Sequence, residues 1–162
     1  MDLILWRHAQ AEDMTLDATL SPQAQQQLDL TRSLTSKGEK QATRMALWLD
    51  RQLPEGCRIL VSPARRCEQT AQALGRKYRL VPELAPGCTP GQMLAVAQWP
   101  TAKTPVLIIG HQPTLGQTIA QLLGMQESDC AVKKGALWWL RYRERESLVE
   151  TVVVTVQSPE HI

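Results

Sequence analysis

Apolar residues recur along this chain in two patterns. Short continuous runs predict strands buried on both faces, and stretches spaced by three or four predict helices with one buried stripe. Asp2 to Trp6 is the first run, and it ends in polar Arg7-His8. From Gln10 to Arg32 the pattern breaks up into Asp, Thr and Ser residues, Pro22 and three successive glutamines. This predicts a long excursion beside the first strand, with a helical turn from Pro22 through Leu28. Loops of such length without a role are uncommon. Periodicity returns near Thr35 or Ser36. Ser36 and Glu39 have the spacing of a capping box, Ala42, Met45, Ala46, Leu49 and Leu53 form one stripe, and Pro54 ends the helix.

Arg58 to Val61 is the second strand. In Ser62-Pro63 the hydroxyl is placed to cap, with proline at the first helical position, where its missing donor costs nothing. The following helix buries Cys67, Ala71 and Leu74 and ends near Gly75. Leu80-Val81 predicts a short strand, Pro86 to Gly91 a turn, and Met93 to Ala97 a modest helix. Thr104 to Ile109 is apolar on both faces, as a parallel strand inside a sheet requires. It runs into Gly110-His111, and Thr114 to Leu123 then predicts a helix with Leu115, Ile119, Leu122 and Leu123 inward, closed by Gly124. Two late runs, Ala136 to Tyr142 and Leu148 to Val156, fit a hairpin. Strand-helix alternation followed by a hairpin predicts a three-layer α/β/α sandwich around a mostly parallel mixed sheet. No repeat or linker divides residues 1–162, which are expected to form one domain.

Composition narrows the function classes. The 162 residues are 43% hydrophobic, and eighteen basic against sixteen acidic side chains leave a net charge of +2. That charge is too small and too dispersed to indicate nucleic-acid binding. Arg141, Arg143 and Arg145, interrupted by Glu144, are expected in a solvated turn. No run approaches the roughly 18 apolar residues that span a membrane, and no positive stretch precedes an apolar one at the start. No membrane association and a cytoplasmic location are therefore expected, as a monomer or weak dimer. Cys57, Cys67, Cys88 and Cys130 are widely spaced with no interleaved histidines, so reduced thiols are expected rather than disulfides or zinc. No carboxylate-rich constellation for magnesium and no GxxxxGK loop is present, so no cofactor or metal is expected.

Three polar groups follow predicted strands: Arg7-His8, Ser62-Pro-Ala-Arg65-Arg66, and Gly110-His111. In an open α/β sheet the carboxyl ends of the strands are where ligands bind, and parallel strands bring all three groups to one rim. The set suits transfer at a compact, multiply charged anion. Arginine brings a permanent charge and a planar fork that matches phosphate oxygens. A neutral imidazole can attack phosphorus and form a covalent phosphohistidine that water later cleaves. Adjacent Arg65 and Arg66 sit badly at a helix N-terminus, where the dipole is already positive, unless an anion offsets them. Spacing alone does not choose between the two, and each polar group alone also has a purely structural reading.

At these residues the chain resembles the histidine phosphatase superfamily, the phosphoglycerate-mutase-like proteins, and most of all its small bacterial phosphohistidine phosphatases. Leu5-Trp6-Arg7-His8-Ala9 is similar to the family's Leu-x-Arg-His-Gly, with alanine in place of the usual glycine. Ser62-Pro63-Ala-Arg-Arg66-Cys-Glu68-Gln69-Thr70 is similar to Ser-Pro-x-x-Arg-Ala-x-Gln-Thr. Arg32 to Gly38, Pro82-Glu83-Leu84 and Gly110-His111-Gln112-Pro113 match further elements in the same order. The resemblance implies that His8 accepts the phosphoryl group, that Arg7, Arg66 and His111 bind the phosphate, and that Arg65 is at most auxiliary. It leaves Glu83 as a possible leaving-group acid or a helper. The short chain and the reduced acid favour a histidine-phosphorylated protein as substrate, since a protonated imidazole leaves more readily than an alkoxide. A small-molecule phosphomonoesterase is the alternative, with the 10–32 segment as a possible cover over the pocket. An inactive phosphate-binding or scaffolding module is the alternative of another class.

Overall fold

A computed structural model describes residues 1–162. One six-stranded sheet organises it, in the order β3-β2-β4-β1-β5-β6. The strands are β1 (Asp2–Arg7), β2 (Arg58–Val61), β3 (Arg79–Leu80), β4 (Val106–Gly110), β5 (Leu137–Arg145) and β6 (Leu148–Gln157). Strand β1 pairs parallel to β4, β4 to β2 and β2 to β3, whereas β5 and β6 run antiparallel. The mixed, mostly parallel sheet expected from the apolar runs is the one observed.

The helices are α1 (Pro22–Leu30), α2 (Ser36–Gln52), α3 (Arg65–Gln72), α4 (Pro90–Ala97) and α5 (Thr114–Leu123). The alternation of side chains along each strand splits the core in two. Ile4, Trp6, Leu107 and Ile109 pack with Met45 and Leu49 of α2 and Cys67 and Ala71 of α3. Leu3, Leu5, Val106 and Ile108 face the other way, onto Met93 of α4 and Leu115 and Ile119 of α5. The central strands thus bury both faces, which is why they read as unbroken apolar runs. Helix α1 stands apart, with no buried residue.

Several boundaries differ from expectation for identifiable reasons. The cap of α2 is Thr35 and not Ser36: Thr35 is extended, and its Oγ1 accepts from the Gly38 amide at 2.9 Å. A Cβ on Gly38 would strike the Gln10 carbonyl oxygen, so glycine permits the close approach of α2 to the strand-end loop. Helix α3 begins at Arg65, with Ala64 as its cap and no side-chain cap bond; the Ser62 hydroxyl is engaged elsewhere. It also ends early, at Gln72, before a turn that reaches left-handed Gly75. Arg141, Arg143 and Arg145 lie within β5 and not in a turn, and Arg141 makes a two-pronged ion pair with Asp2 at 2.7 and 2.8 Å. The turn itself is Glu146-Ser147, both with positive φ, as a tight hairpin needs. All four cysteines are unpaired.

Candidate active site

The register of the sheet places the three polar groups side by side. Arg7 pairs with Gly110 across β1 and β4, and Val61 of β2 pairs with Ile109. His8, His111 and Ser62 are the next residues on three adjacent parallel strands, and all emerge at the carboxyl rim. The His8 amide donates to the Gly110 carbonyl at 3.2 Å, and the His8 carbonyl accepts from Gly135 at 3.0 Å, so its backbone is pinned on two sides.

His8 is 7% exposed. Its Nδ1 lies 2.7 Å from the Ala9 carbonyl oxygen, an atom that can only accept, so the proton is on Nδ1. Nε2 therefore carries the free lone pair. Burial, with the Arg66 and Arg7 charges, pulls the imidazole down to about 3, so the ring is neutral at ordinary pH. Ala9, where glycine is usual, has no positive φ; its methyl packs with Ala11, Leu34 and Ala42 and obstructs nothing.

His111 is 4% exposed, with its ring centroid 5.3 Å from that of His8. Its Nε2 is 2.7 Å from Ser62 Oγ, and its Nδ1 is 3.4 Å from Arg66 Nη2. A guanidinium only donates, so Nδ1 is the acceptor and Nε2–H points to Ser62. Burial, then the Arg66 charge, lowers His111 to about 2. Cys67 Sγ packs 3.5 Å from the same Nε2, and burial pushes its thiol up to about 12, so no thiolate competes as nucleophile.

Arg66 is 3% exposed, and its two terminal nitrogens are held by Asp29, with Nη2 also against His111. Nη1 donates to the Asp29 carbonyl at 2.8 Å and Nη2 to Asp29 Oδ2 at 3.1 Å. Arg7 spends Nη1 on the Val132 carbonyl at 2.8 Å. The Nε of each arginine is buried without a partner. Two orphaned cationic donors at one site are costly unless an anion meets them.

A cavity of about 260 Å³ is lined by Arg7, His8, Arg66 and His111 together with Arg32, Lys134, Gln112, Ala11, Asp13 and Pro86. Four cations against one carboxylate make it an anion site. Arg65 is exposed on the first turn of α3 and does not line it. Glu83 is exposed on the short 3₁₀ turn Pro82–Leu84 and does not line it either. No cluster of three or more His, Cys, Asp or Glu side chains is arranged to hold a metal ion. No helix is long and apolar enough to cross a membrane.

Comparison with known proteins bears on this arrangement. A family model described as histidine phosphatase superfamily, branch 1, matches residues 3–88, over half the chain. The chain belongs to that superfamily. Phosphohistidine phosphatase SixA of Escherichia coli strain K12 is 35% identical over 130 residues, covering 75% of this chain and 74% of that protein. A solved structure of the protein histidine phosphatase SixA with tungstate superposes at a TM-score of 0.69, with 27% identity and coverage of 98% and 97%. A structure named for SixA of Nakamurella multipartitia gives 0.74 over 98% and 95% at 24% identity, which speaks to fold alone. The protein is a phosphatase of the superfamily, with the phosphoglycerate-mutase-like fold.

The matched segment carries Arg7, His8 and Arg66 and stops short of His111, which β4 delivers to the same cavity. Sequence reasoning missed Asp29, Arg32 and Lys134. Asp29 joins two arginines: besides Arg66, its Oδ1 accepts from Arg32 Nε at 2.9 Å. An acidic residue three positions before an arginine in an otherwise glutamine-rich stretch was the available signal. Nothing local showed that it would also reach Arg66. Ser62, expected as a cap, accepts locally from the Ala64 amide at 3.3 Å, but its shorter bond, 2.7 Å, is to His111 just after β4.

Proposed function

We propose that the protein hydrolyses phosphohistidine on a partner protein, through a covalent intermediate on His8 and without a metal. The observation that carries the proposal is the state of His8: neutral, with Nδ1–H tied to Ala9 and the Nε2 lone pair free, beside two arginines whose Nε atoms have no partner. A phosphoryl dianion supplies what those donors lack. Charge-assisted bonds from Arg7 and Arg66 place phosphorus against Nε2 and stabilise the charge on its oxygens as the transfer proceeds.

In the first step Nε2 bonds to phosphorus as the bond to the substrate imidazole breaks. The departing nitrogen leaves neutral, its proton coming from water at the exposed edge of the cavity. In the second step water attacks phosphorus, the bond to His8 breaks, and phosphate departs with His8 restored. His111 is neutral, with Nε2–H on Ser62 and Nδ1 accepting from Arg66, and so helps to hold the Arg66 guanidinium at the site. The arginines offset the phosphoryl charge that a metal would otherwise offset.

Support for phosphohistidine over an alkoxide ester comes from the acid. Glu83 lies outside the cavity lining, and SixA relatives bear the name of phosphohistidine phosphatases. One observation favours the second reading, a small-molecule phosphomonoesterase: Asp13 is a carboxylate in the lining and would be a proton donor if its proton were held. The deciding experiment compares turnover of a histidine-phosphorylated carrier protein and a panel of small phosphate esters, each with and without a chelator. Turnover of the phosphoprotein, insensitive to chelator, is expected. Activity confined to esters overturns the substrate assignment, chelator sensitivity overturns the metal-free mechanism, and binding without turnover overturns both.

A further inference from the structure

Beside the phosphate cavity lies a second, larger depression of about 570 Å³, between α1 and the Ala85–Gly87 turn. Pro86 lines both, and Asp29, in the groove wall, is the residue that grips Arg66. We propose that this groove receives the polypeptide flanking the phosphohistidine of a protein substrate. The inference rests on the phosphohistidine reading above and adds where the rest of the substrate binds.

Size argues first. Ordinary ligand sites occupy roughly 300–1,000 Å³, so a 260 Å³ cavity holds a phosphoryl group with the imidazole it is attached to, but not the polypeptide on either side. A protein substrate must find its remaining contact outside, and the groove borders the cavity, with Pro86 in the lining of both. Lining chemistry argues second. Gln26 presents a side-chain amide able to donate and accept, and Gln25, whose Nε2 donates to the Asp17 carbonyl at 3.1 Å, leaves its Oε1 to accept, which suits the donors and acceptors of an extended main chain. Met14, Pro22, Leu30 and Ala85 supply neutral contact. The groove has no cation, and its one charge, Asp29, is already spent on arginines. A small anionic leaving group such as a carboxylate or second phosphate finds no partner there; an uncharged main chain does.

The helix itself is the third argument. Isolated helices shorter than about 12–15 residues are marginal in water. Helix α1 has nine residues and buries none, its attachment being Asp29 to Arg66 and Leu30 against the core beneath α2 and α3. An element that contributes so little to the core yet borders the phosphate site is explained by what it presents to a substrate.

The test fills the groove. Gln26 is exposed, so Gln26→Trp occupies the depression without disturbing the core, and Gln26→Ala removes its amide while leaving the Gln25 bond to Asp17 in place. Steady-state kinetics are measured on a histidine-phosphorylated carrier protein and on phosphoramidate, which delivers the same phosphoryl group with no polypeptide attached. The expected result is a fall of about tenfold or more in kcat/KM for the phosphoprotein, carried by KM, with phosphoramidate turnover within about twofold of wild type. Wild-type turnover of the phosphoprotein with unchanged variants, or equal losses on both substrates, overturns the groove alone. Losses confined to phosphoramidate overturn it as well. No wild-type turnover of the phosphoprotein overturns the function and the groove together.

Discussion

Replacing Arg66 by alanine separates the two adjacent arginines of α3. Arg66 is 3% exposed and lines the anion cavity, with Nη1 and Nη2 bonded to Asp29 and Nε left without a partner. Hydrogen bonds to charged groups contribute roughly 1.5–3 kcal/mol each, and the guanidinium can offer two of them to a phosphoryl group. Loss of both predicts about 3–6 kcal/mol less transition-state stabilisation, or roughly two to four powers of ten in kcat/KM. Arg66→Lys recovers little of this, because an ammonium cannot face Asp29 and the phosphoryl group together as a planar fork does. Arg65 is exposed and has no partner in the cavity, so Arg65→Ala stays within about threefold. The assay is steady-state turnover of a histidine-phosphorylated protein, with denaturant unfolding to verify that each variant is folded. An Arg65→Ala loss equal to that of Arg66→Ala refutes the assignment of the phosphate fork.

Three further outcomes follow from the same geometry. Ser62→Ala leaves His111 Nε2 with only the Cys67 sulfur nearby; a buried orphan donor costs about 1–3 kcal/mol, seen in urea unfolding, and the loosened ring lowers turnover about tenfold. Unchanged stability and rate contradict the Ser62 role. Glu83→Gln leaves phosphohistidine turnover within about twofold, whereas a hundredfold loss makes Glu83 the general acid after all. Stability falls with acid: His8 and His111 are held to about 3 and about 2, but in the unfolded chain they bind protons near 6.5. Their contribution is complete above pH 6.5 and is lost as pH drops from there toward 3. Urea midpoints in phosphate-free buffer at pH 7.5, 6 and 5 should decline, with a shallower decline in His8→Gln; parallel slopes contradict the buried neutral His8.

Much of this architecture was legible because it depends on local pattern. Leu3 to Trp6 of β1 and Val106 to Ile109 of β4 are apolar at every position, since they face helices on both sides, and Gly124 marks the end of α5 by its left-handed conformation. The expectation that parallel strands share a rim put the Arg7-His8, Ser62–Arg66 and Gly110-His111 groups at one edge, without setting the strand order. What was illegible depends on contacts between distant segments. The Ser62 hydroxyl had a plausible local use as a cap, and only the adjacency of β2 and β4 diverts it to His111. Asp29 sits in a glutamine-rich segment with no strong pattern, and its hold on Arg66 spans 37 positions. The arginines of β5 alternate with Tyr142 and Glu144 in a way that a solvated turn shares; the long reach of Arg141 to Asp2 decides for a strand.

The central claim is that His8 Nε2 takes the phosphoryl group. Enzyme mixed with excess phosphohistidine substrate, denatured within milliseconds at alkaline pH and digested, gives a direct answer by mass spectrometry. The account predicts a phosphoryl group on the peptide containing His8, absent from His8→Ala, whose turnover collapses. Phosphate on His111, or a His8→Ala enzyme that turns over at the wild-type rate, contradicts it.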